Sequence, residues 1–242
     1  MSSSIDNVRL KAFLSEPRFT TYLEHARGDF NRILSLYLWN IDASSAVLAT
    51  TSLVEVVLRN TVDEALKRWN PRQAYKMVPG RKAAYSEDWI LDPCPAVKNW
   101  FYSEDNPQQS RVLQNSRVAM KDMYGRDVKL NPTHDDYVAA FTFGTWLRFI
   151  PKPSASNPTK FPLNFWEQEL CQSFLGQHRN SIFYWGQHLH YARNRASHLE
   201  PLLDVKQLQR LIQKSSQPHK TPDPAPEENT RRYKLNGRLN PE

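Results

Sequence analysis

The spacing of apolar residues between Ser181 and Leu199 constrains the fold of this chain more than any other feature. Apolar or small residues recur there at alternating steps of three and four, at Ile182, Trp185, Leu189, Ala192, Ala196 and Leu199. This spacing places them along one side of an α-helix, where they can pack against another helix. Pro201 disfavours helical geometry at Glu200, so we expect this helix to end near Leu199. A second stripe with steps of three and four, from Ser44 to Trp69, predicts another long amphipathic helix.

Polar residues mark where further helices begin. Asp29 is well placed to cap the N-terminus of a helix that precedes the Ser44–Trp69 stripe. Thr133 and Asp136 form a capping-box pattern at the start of a helix that should run to about Phe149. These signals extend the helical interpretation to both sides of the middle of the chain.

Proline separates the predicted helices, since the chain has seventeen prolines and seven glycines. Prolines interrupt residues 70 to 110, which we expect to be irregular, and a short helix is a candidate at 111 to 123. Asn164 with Glu167 repeats the capping signature after another proline-rich loop. A further helix should begin around Leu202.

The predicted fold class is all-α, because no long alternation of apolar and polar residues indicates a strand. We expect one multi-helix bundle over residues 1–214. Apolar residues almost vanish after it, and five prolines fall in the last 28 residues. Residues 215–242 are therefore predicted to be a disordered, Pro-rich tail with a basic end.

Composition excludes several classes of protein. The first residues do not resemble a signal peptide, and no run of about 18 uncharged apolar residues occurs, so we expect neither secretion nor a membrane partner. Cys94 and Cys171 lack CxxC spacing, which leaves no disulfide framework or cysteine zinc site and favours a cytoplasmic location. The formal net charge of +7 makes nucleic acid a reasonable partner.

The common catalytic motifs are missing from this sequence. It contains no GxxxxGK[ST], GxGxxG, GxSxG or HExxH, so nothing predicts a cofactor or a metal. His188 and His190 would point about 200° apart on a helix, which is poor geometry for sharing a metal ion. We interpret them as surface or core histidines.

The segment Tyr191–Pro201 carries the strongest chemical signal. Arg193, Asn194 and Arg195 lie within one and a half turns of His198, near the end of the predicted helix. A histidine there can exchange a proton near neutrality, and an arginine beside it can hold a phosphate through paired N–H donors. The alternative is a solvated helix face whose histidine only caps the helix.

A polar and aromatic ridge lies beside the apolar seam of the same helix, at Tyr184, His188, Tyr191, Arg195 and His198. It could face RNA, a partner subunit or water.

A second unusual segment is the apolar run 53–58. Glu55 interrupts this run, and Arg59 and Asn60 follow it. Because an unpaired buried carboxylate is costly, Glu55 should pair with Arg59 or with an arginine of the histidine-bearing helix. Such an ion pair could be structural or catalytic.

Four segments together resemble the Abi-like (abortive infection) family of the HEPN superfamily. They are Tyr37-Leu-Trp-Asn40, Glu55-Val-Val-Leu-Arg-Asn60, Phe143-Gly-Thr-Trp-Leu147 and Arg193-Asn-Arg-Ala-Ser-His-Leu-Glu-Pro201. The family's usual run is RNR-x-x-HHEP, and this chain has Leu199 where the second histidine would stand. The superfamily's RxxxxH core is present as Arg193 to His198.

The resemblance implies a HEPN-like helical bundle that dimerises through its motif helices and cleaves RNA without a metal. In that mechanism a ribose 2′-OH attacks the adjacent phosphate and leaves a 2′,3′-cyclic phosphate. By the same resemblance His198 would transfer a proton, while Arg193 and Asn194 would hold the phosphate and orient the groups. The implied supporting residues are Glu55, Arg59, Asn60, Arg195 and Glu200.

The implied biological role is that of a toxin or phage-defence effector, with a neutralising antitoxin or a regulatory RNA as a further candidate partner. RNA contacts are expected from His188 and Tyr191 and, in the tail, from Arg231 and Arg232. On an ideal helix Arg193 and His198 lie about 140° apart, which favours a site shared between two subunits of a homodimer. The alternative function is a non-catalytic module that binds RNA or protein, since fold membership alone does not settle activity.

Overall fold

The computed structural model describes residues 7–73, 84–102 and 132–203, and every regular element in those ranges is helical. The described helices are α1 (Asn7–Leu14), α2 (Glu16–His25), α3 (Phe30–Arg72), α4 (Pro95–Tyr102), α5 (His134–Ala140), α6 (Phe143–Leu147), α7 (Leu163–Gln168) and α8 (Arg179–Ser197), with a 3₁₀ turn at Leu170–Phe174. The all-α prediction is confirmed. The helix expected at 111–123, the tail 215–242 and nearly all of the helix expected from Leu202 lie outside the described residues.

Helix α3 is 43 residues long and organises the molecule. The Asp29 side chain caps it as predicted, because its carboxylate accepts the backbone N–H of Asn31 at 2.9 Å. Helix α3 joins two predicted segments, the helix after Asp29 and the Ser44–Trp69 stripe, into one element. It ends directly after Pro71. Its most extensive packing is against α8, the helix predicted to carry the apolar seam.

The main core lies along the second half of α3, where Leu58, Val62, Leu66 and Trp69 are buried. Aromatic side chains from the rest of the chain pack around it, chiefly Trp89, Trp146, Phe149, Phe161 and Phe165. Each such ring buries about 150–250 Å² of surface, so this cluster dominates the hydrophobic stabilisation of the bundle.

A smaller core joins α1, α2 and the first turns of α3, where Phe19, Tyr22 and Ile33 are buried. Burial raises the pKa of the Tyr22 phenol to about 12, and the nearby Tyr37 adds to that shift while Arg18 opposes it. The Arg18 guanidinium also donates to the backbone carbonyl of His198 at 2.9 Å, which ties α2 to the end of α8.

The prediction that residues 70–110 are irregular is wrong at two places. Residues 70–110 are not all irregular, because α3 continues to Arg72 and α4 occupies Pro95–Tyr102. Pro95 is the first residue of α4, a position where the missing N–H has no helical partner to lose and the fixed φ favours a helix. The prolines of this region were all interpreted as breaks, although Pro95 begins a helix.

The helix expected from Thr133 to Phe149 is divided. The capping box of Thr133 and Asp136 is confirmed, with Thr133 N–H donating to the Asp136 carboxylate at 2.8 Å. However, Phe141 and Thr142 are extended, and the Thr142 hydroxyl caps a new helix by accepting Thr145 N–H at 3.3 Å. A threonine that can accept a bond from the following turn favours such a break.

The second capping prediction is wrong. Helix α7 begins after Pro162 without a side-chain cap, and the Asn164 amide donates instead to the carbonyl of Pro158 at 3.0 Å.

The apolar seam predicted for α8 faces the rest of the bundle, but not every predicted member is buried. Ala196 is buried, whereas Trp185 remains 42% exposed.

Within the described residues, α3 alone is long and apolar enough to cross a membrane by length and composition. Only 11% of its most apolar 18-residue window is buried inside the molecule. This outcome differs from the expectation that no segment of the chain would qualify.

Candidate functional site

The four segments that carry the family resemblance converge around α8. Asn40, fully buried on α3, accepts Leu202 N–H at 2.7 Å and donates to the carbonyl of Glu200 at 3.4 Å. Further along α3, Glu55 lies close enough to His190 to act on its charge, and α6 places Phe143 beside the same ring. Segments separated by more than a hundred residues thus surround one stretch of one helix.

Two glycines let α8 approach α6 closely. A Cβ added to Gly144 would lie 3.1 Å from the His190 ring, and one added to Gly186 would lie 2.3 Å from a methyl carbon of Leu147. The His190 ring also meets Phe143 edge to face, with centroids 5.9 Å apart. The position of His190 is therefore fixed by packing against α6 as well as by its own helix.

His190 is at the centre of a half-buried polar group that we call the His190 cluster: His190, Arg193, Asn194 and Glu55. The Asn194 amide nitrogen lies 3.3 Å from His190 Nε2, and Arg193 Nη1 donates to the Asn194 amide oxygen at 3.4 Å. This arrangement aims a guanidinium, an amide and an imidazole into the same small region. Such a set can bind a phosphate and exchange a proton.

Electrostatics keep the His190 ring neutral. Burial lowers its pKa below the ordinary value of 6.5, the Arg193 guanidinium lowers it further, and the Glu55 carboxylate opposes both. A neutral imidazole has one nitrogen lone pair, which can accept a hydrogen bond from the Asn194 amide or a proton.

Glu55 does not form the ion pair expected for it. Among the described residues it has no ion-pair partner, and Arg59 Nε instead donates to the Asn60 side chain at 3.4 Å. Glu55 is half-buried rather than enclosed in the core, so its carboxylate does not need a full counter-ion.

The end of α8 holds the other predicted residues in a structural turn. His198 is the C-cap, and its exposed side chain contacts neither Arg193 nor Asn194 in the described structure. The Arg195 guanidinium donates to Tyr191 Oη at 3.1 Å and to the Pro201 carbonyl, and it lies 3.6 Å from the Glu200 carboxylate. Arg195 and Glu200 therefore already have partners within the chain.

The remaining predicted RNA contacts are divided. Tyr191 is 43% exposed, with the Arg195 guanidinium 5.7 Å from its ring centre, and His188 is half-buried and has partners of its own. Leu199, at the position of the family's second histidine, has a left-handed backbone with φ of 49°. Arg231 and Arg232 lie outside the described residues.

A second polar cluster, centred on the buried Asp63 of α3, was not predicted from the sequence. The Asp63 carboxylate accepts Trp89 Nε1–H at 2.8 Å, lies 2.8 Å from His134 Nε2 and forms a 2.8 Å ion pair with Lys67. Burial would raise the pKa of Asp63, but hydrogen bonds from His134, Lys67 and Trp89 outweigh burial and lower it. We call these residues the Asp63 cluster.

The Asp63 cluster borders a cleft of about 410 Å³ between α3 and α5, lined among others by Arg59, Asn60 and Asp135. Within the part of the chain that is described, no group of three or more His, Cys, Asp or Glu side chains could hold a metal ion. His134 is 71 positions from Asp63 in sequence, so no local pattern announces their contact.

The signal for His190 was present in the sequence. Its spacing of four from Asn194 places both on one helix face, but His190 was considered only as a metal partner of His188 and was interpreted as a surface or core histidine. No protein-family model, curated protein or solved structure matches this chain. The Abi-like resemblance therefore stays a prediction that depends on the four segments alone.

Proposed function

We propose that the protein is a metal-independent endoribonuclease of HEPN type that acts as a toxin or phage-defence effector. The observation that carries the proposal is the His190 cluster, where Arg193 and Asn194 meet an imidazole with a lowered pKa. The resemblance contributes the reaction class, which is cleavage through attack by the neighbouring ribose hydroxyl.

The proposed step needs only the RNA and the side chains of this protein. The 2′-OH gives its proton to a histidine while its oxygen bonds to the adjacent phosphorus. The bond from phosphorus to the 5′-oxygen breaks, and that oxygen takes a proton, which leaves a 2′,3′-cyclic phosphate and a 5′-OH. Arg193 and Asn194 hold the phosphoryl oxygens as negative charge develops on them.

Two histidines are candidates for the proton transfers. The resemblance assigns His198, and the contacts favour His190 as the acceptor because it is neutral and lies against Asn194. If both act, His190 removes the 2′ proton and His198 supplies one to the leaving oxygen, from the same subunit or from a second one.

Cleavage of labelled RNA in the presence of EDTA tests the proposal. Wild-type protein should yield cyclic-phosphate ends, and Arg193→Ala, His190→Ala and His198→Ala should each slow cleavage by about 10²–10⁴-fold if the replaced group acts in proton transfer or charge stabilisation. His25→Ala is the matched control, because that exposed histidine lies on α2, outside the His190 cluster, and its ring bonds to the backbone carbonyl of Thr21. Absence of cleavage by wild-type protein would contradict the proposal.

The second candidate is a module that binds RNA or protein without chemistry. It is favoured because, among the described residues, the His198 side chain forms no hydrogen bond or ion pair with Arg193 or Asn194. RNA binding that Arg193→Ala weakens, with no cleavage under any condition, would select this candidate. A cytoplasmic location and a neutralising antitoxin remain parts of the first proposal.

A further inference from the structure

The outer face of α3 from Leu38 to Val57 is apolar although it faces outward. Its large side chains are 41–68% exposed, at Leu38, Trp39, Leu53, Val56 and Val57. Between them lie exposed small residues, namely Ser45, Ala46, Ala49, Thr50 and Ser52. Asp42 is the one charged residue among the exposed positions of this stretch. We call these eleven residues the outer face of α3.

The inward side of the same stretch is polar. Its buried residues are Asn40, Ser44 and Thr51. Residues 42, 46, 49, 53, 56 and 60 share one direction on the helix, and the buried residues point the opposite way. A water-exposed helix normally shows the reverse pattern, so this face is built to meet another apolar surface.

A lipid bilayer is the less suitable partner. Glu55 lies within the same stretch, and α8, packed alongside it, carries Arg193 and Arg195. Charged side chains at that depth in a membrane are expensive. A protein surface can cover the outer face of α3 and leave those charges beside water.

We propose that the outer face of α3 binds the same face of a second copy of this chain, antiparallel, about a two-fold axis near Thr50. A two-fold axis makes one apolar patch its own complement. The small residues Ala46 and Ala49 lie at its centre, where two helices must approach most closely. This assigns the dimer contact to α3 rather than to the predicted ridge on α8, and it does not depend on the ribonuclease proposal.

Charge and size agree with this pairing. Asp42 lies eight residues before Thr50 and Arg59 nine residues after it, so an antiparallel pair brings opposite charges together at both ends. The face spans nineteen steps from Leu38 to Val57, about 29 Å at 1.5 Å per residue. This length suffices in one dimension, since a standard interface of about 800 Å² per partner is about 32 Å across if circular.

Light scattering of the full chain at micromolar concentration tests the proposal directly. Wild-type protein should show twice the chain mass of 28.2 kDa. Leu53→Glu should halve the measured mass, because two carboxylates would be placed in an apolar contact. The matched control is Leu91→Glu, since Leu91 is 52% exposed outside α3, and it should leave the mass unchanged. A monomeric wild type would overturn the proposal.

Disulfide trapping covers the case in which Leu53→Glu does not fold. In a Cys171→Ser background, Ala49→Cys should form a cross-linked dimer on mild oxidation, because a residue that faces the contact near a two-fold axis meets its own copy. Gln187→Cys, at an exposed position on α8, is the control and should stay monomeric on a denaturing gel. Equal cross-linking of both variants, or of neither, would overturn the assigned interface.

Flotation with vesicles of phosphatidylcholine and phosphatidylglycerol separates the membrane alternative. We expect no wild-type protein to float. Flotation of wild type that Leu53→Glu abolishes and Leu91→Glu preserves would overturn the proposal in favour of a lipid surface.

Discussion

Two stretches of α3 bury opposite kinds of side chain. From Leu58 to Trp69 the helix buries apolar residues and exposes polar ones such as Asn60 and Glu64, as an amphipathic helix of a bundle should. In the stretch before it, from Leu38 to Val57, the buried residues are polar and the outer face of α3 is apolar. The same spacing of three and four runs through both halves, so periodicity indicates a helix in each without telling which side meets the core.

The difference shows what each half contributes. The second half stabilises the monomer through the aromatic core. The first half gives its polar side to α8, where Asn40 anchors the end of the helix and Glu55 adjusts His190. Its apolar side, the outer face of α3, is exposed and is the surface that we propose binds a second copy of the chain.

Replacing one apolar residue in each half should separate these contributions most strongly. Trp69 is fully buried, so Trp69→Ala should lower the free energy of unfolding by about 3–5 kcal/mol. Leu53 is 68% exposed, so Leu53→Ala should change it by less than about 0.5 kcal/mol in dilute protein, where the proposed dimer is dissociated. Urea unfolding followed by circular dichroism measures both. Equal losses would show that the outer face of α3 is packed within the monomer.

The Asp63 cluster should be the most sensitive polar feature of the second half. Asp63→Asn should lower the free energy of unfolding by about 3 kcal/mol, because Lys67 and His134 would lose their shared carboxylate in a buried setting. Glu64→Gln, whose side chain is 60% exposed, should cost less than about 0.5 kcal/mol.

The same carboxyl predicts a pH dependence. The folded pKa of Asp63 lies below its ordinary value of 3.8, so its stabilisation is present above that pH and is lost as the pH falls through the folded pKa. Wild-type stability should therefore decrease more than that of Asp63→Asn on acidification below pH 4. Parallel acid curves would exclude this contribution.

Asn40 tests the polar side of the first half with a smaller effect. Asn40→Ala leaves the Leu202 N–H without its partner in a buried place, which should cost about 1–3 kcal/mol. Asn31→Ala, on an exposed side chain near the start of the same helix, is the control and should be nearly neutral. Thermal unfolding of the two variants side by side measures the difference.

The titration of His190 is the smallest effect and the most specific. By NMR its pKa should lie below 6.5, Glu55→Gln should lower it further and Arg193→Gln should raise it. Because the folded pKa is lowered, this group reduces stability as the pH falls below 6.5. A His190 signal that is insensitive to both substitutions would show that the His190 cluster is not assembled as described.

Local signals predicted a large part of the fold. The caps of Asp29 and of Thr133 with Asp136 depend on residues two or three positions apart, so the sequence displays them directly. Pro95 was misinterpreted because proline both ends and begins helices, and only its neighbours in space decide which.

The site was predicted in part for the same reason. Arg193 and Asn194 are adjacent in sequence, and the structure joins them. The contact of His190 with Gly144 and Phe143, and that of Asp63 with His134, depend on how distant helices pack, which spacing alone does not encode. Glu55 was expected inside an ion pair because its neighbours are apolar, yet Leu53, Val56 and Val57 belong to the outward side of α3.

The glycine beneath His190 separates two properties that substitutions usually change together. Because a Cβ at Gly144 would lie 3.1 Å from the imidazole, Gly144→Ala must displace the ring by a few tenths of an ångström while replacing no ionisable group of the cluster. A substitution at position 144 thus changes the position of the ring, whereas substitutions at positions 55 and 193 change its pKa. A one-carbon change on a neighbouring helix can in this way measure how much the placement of the ring matters, without replacing a charged residue that acts on its pKa.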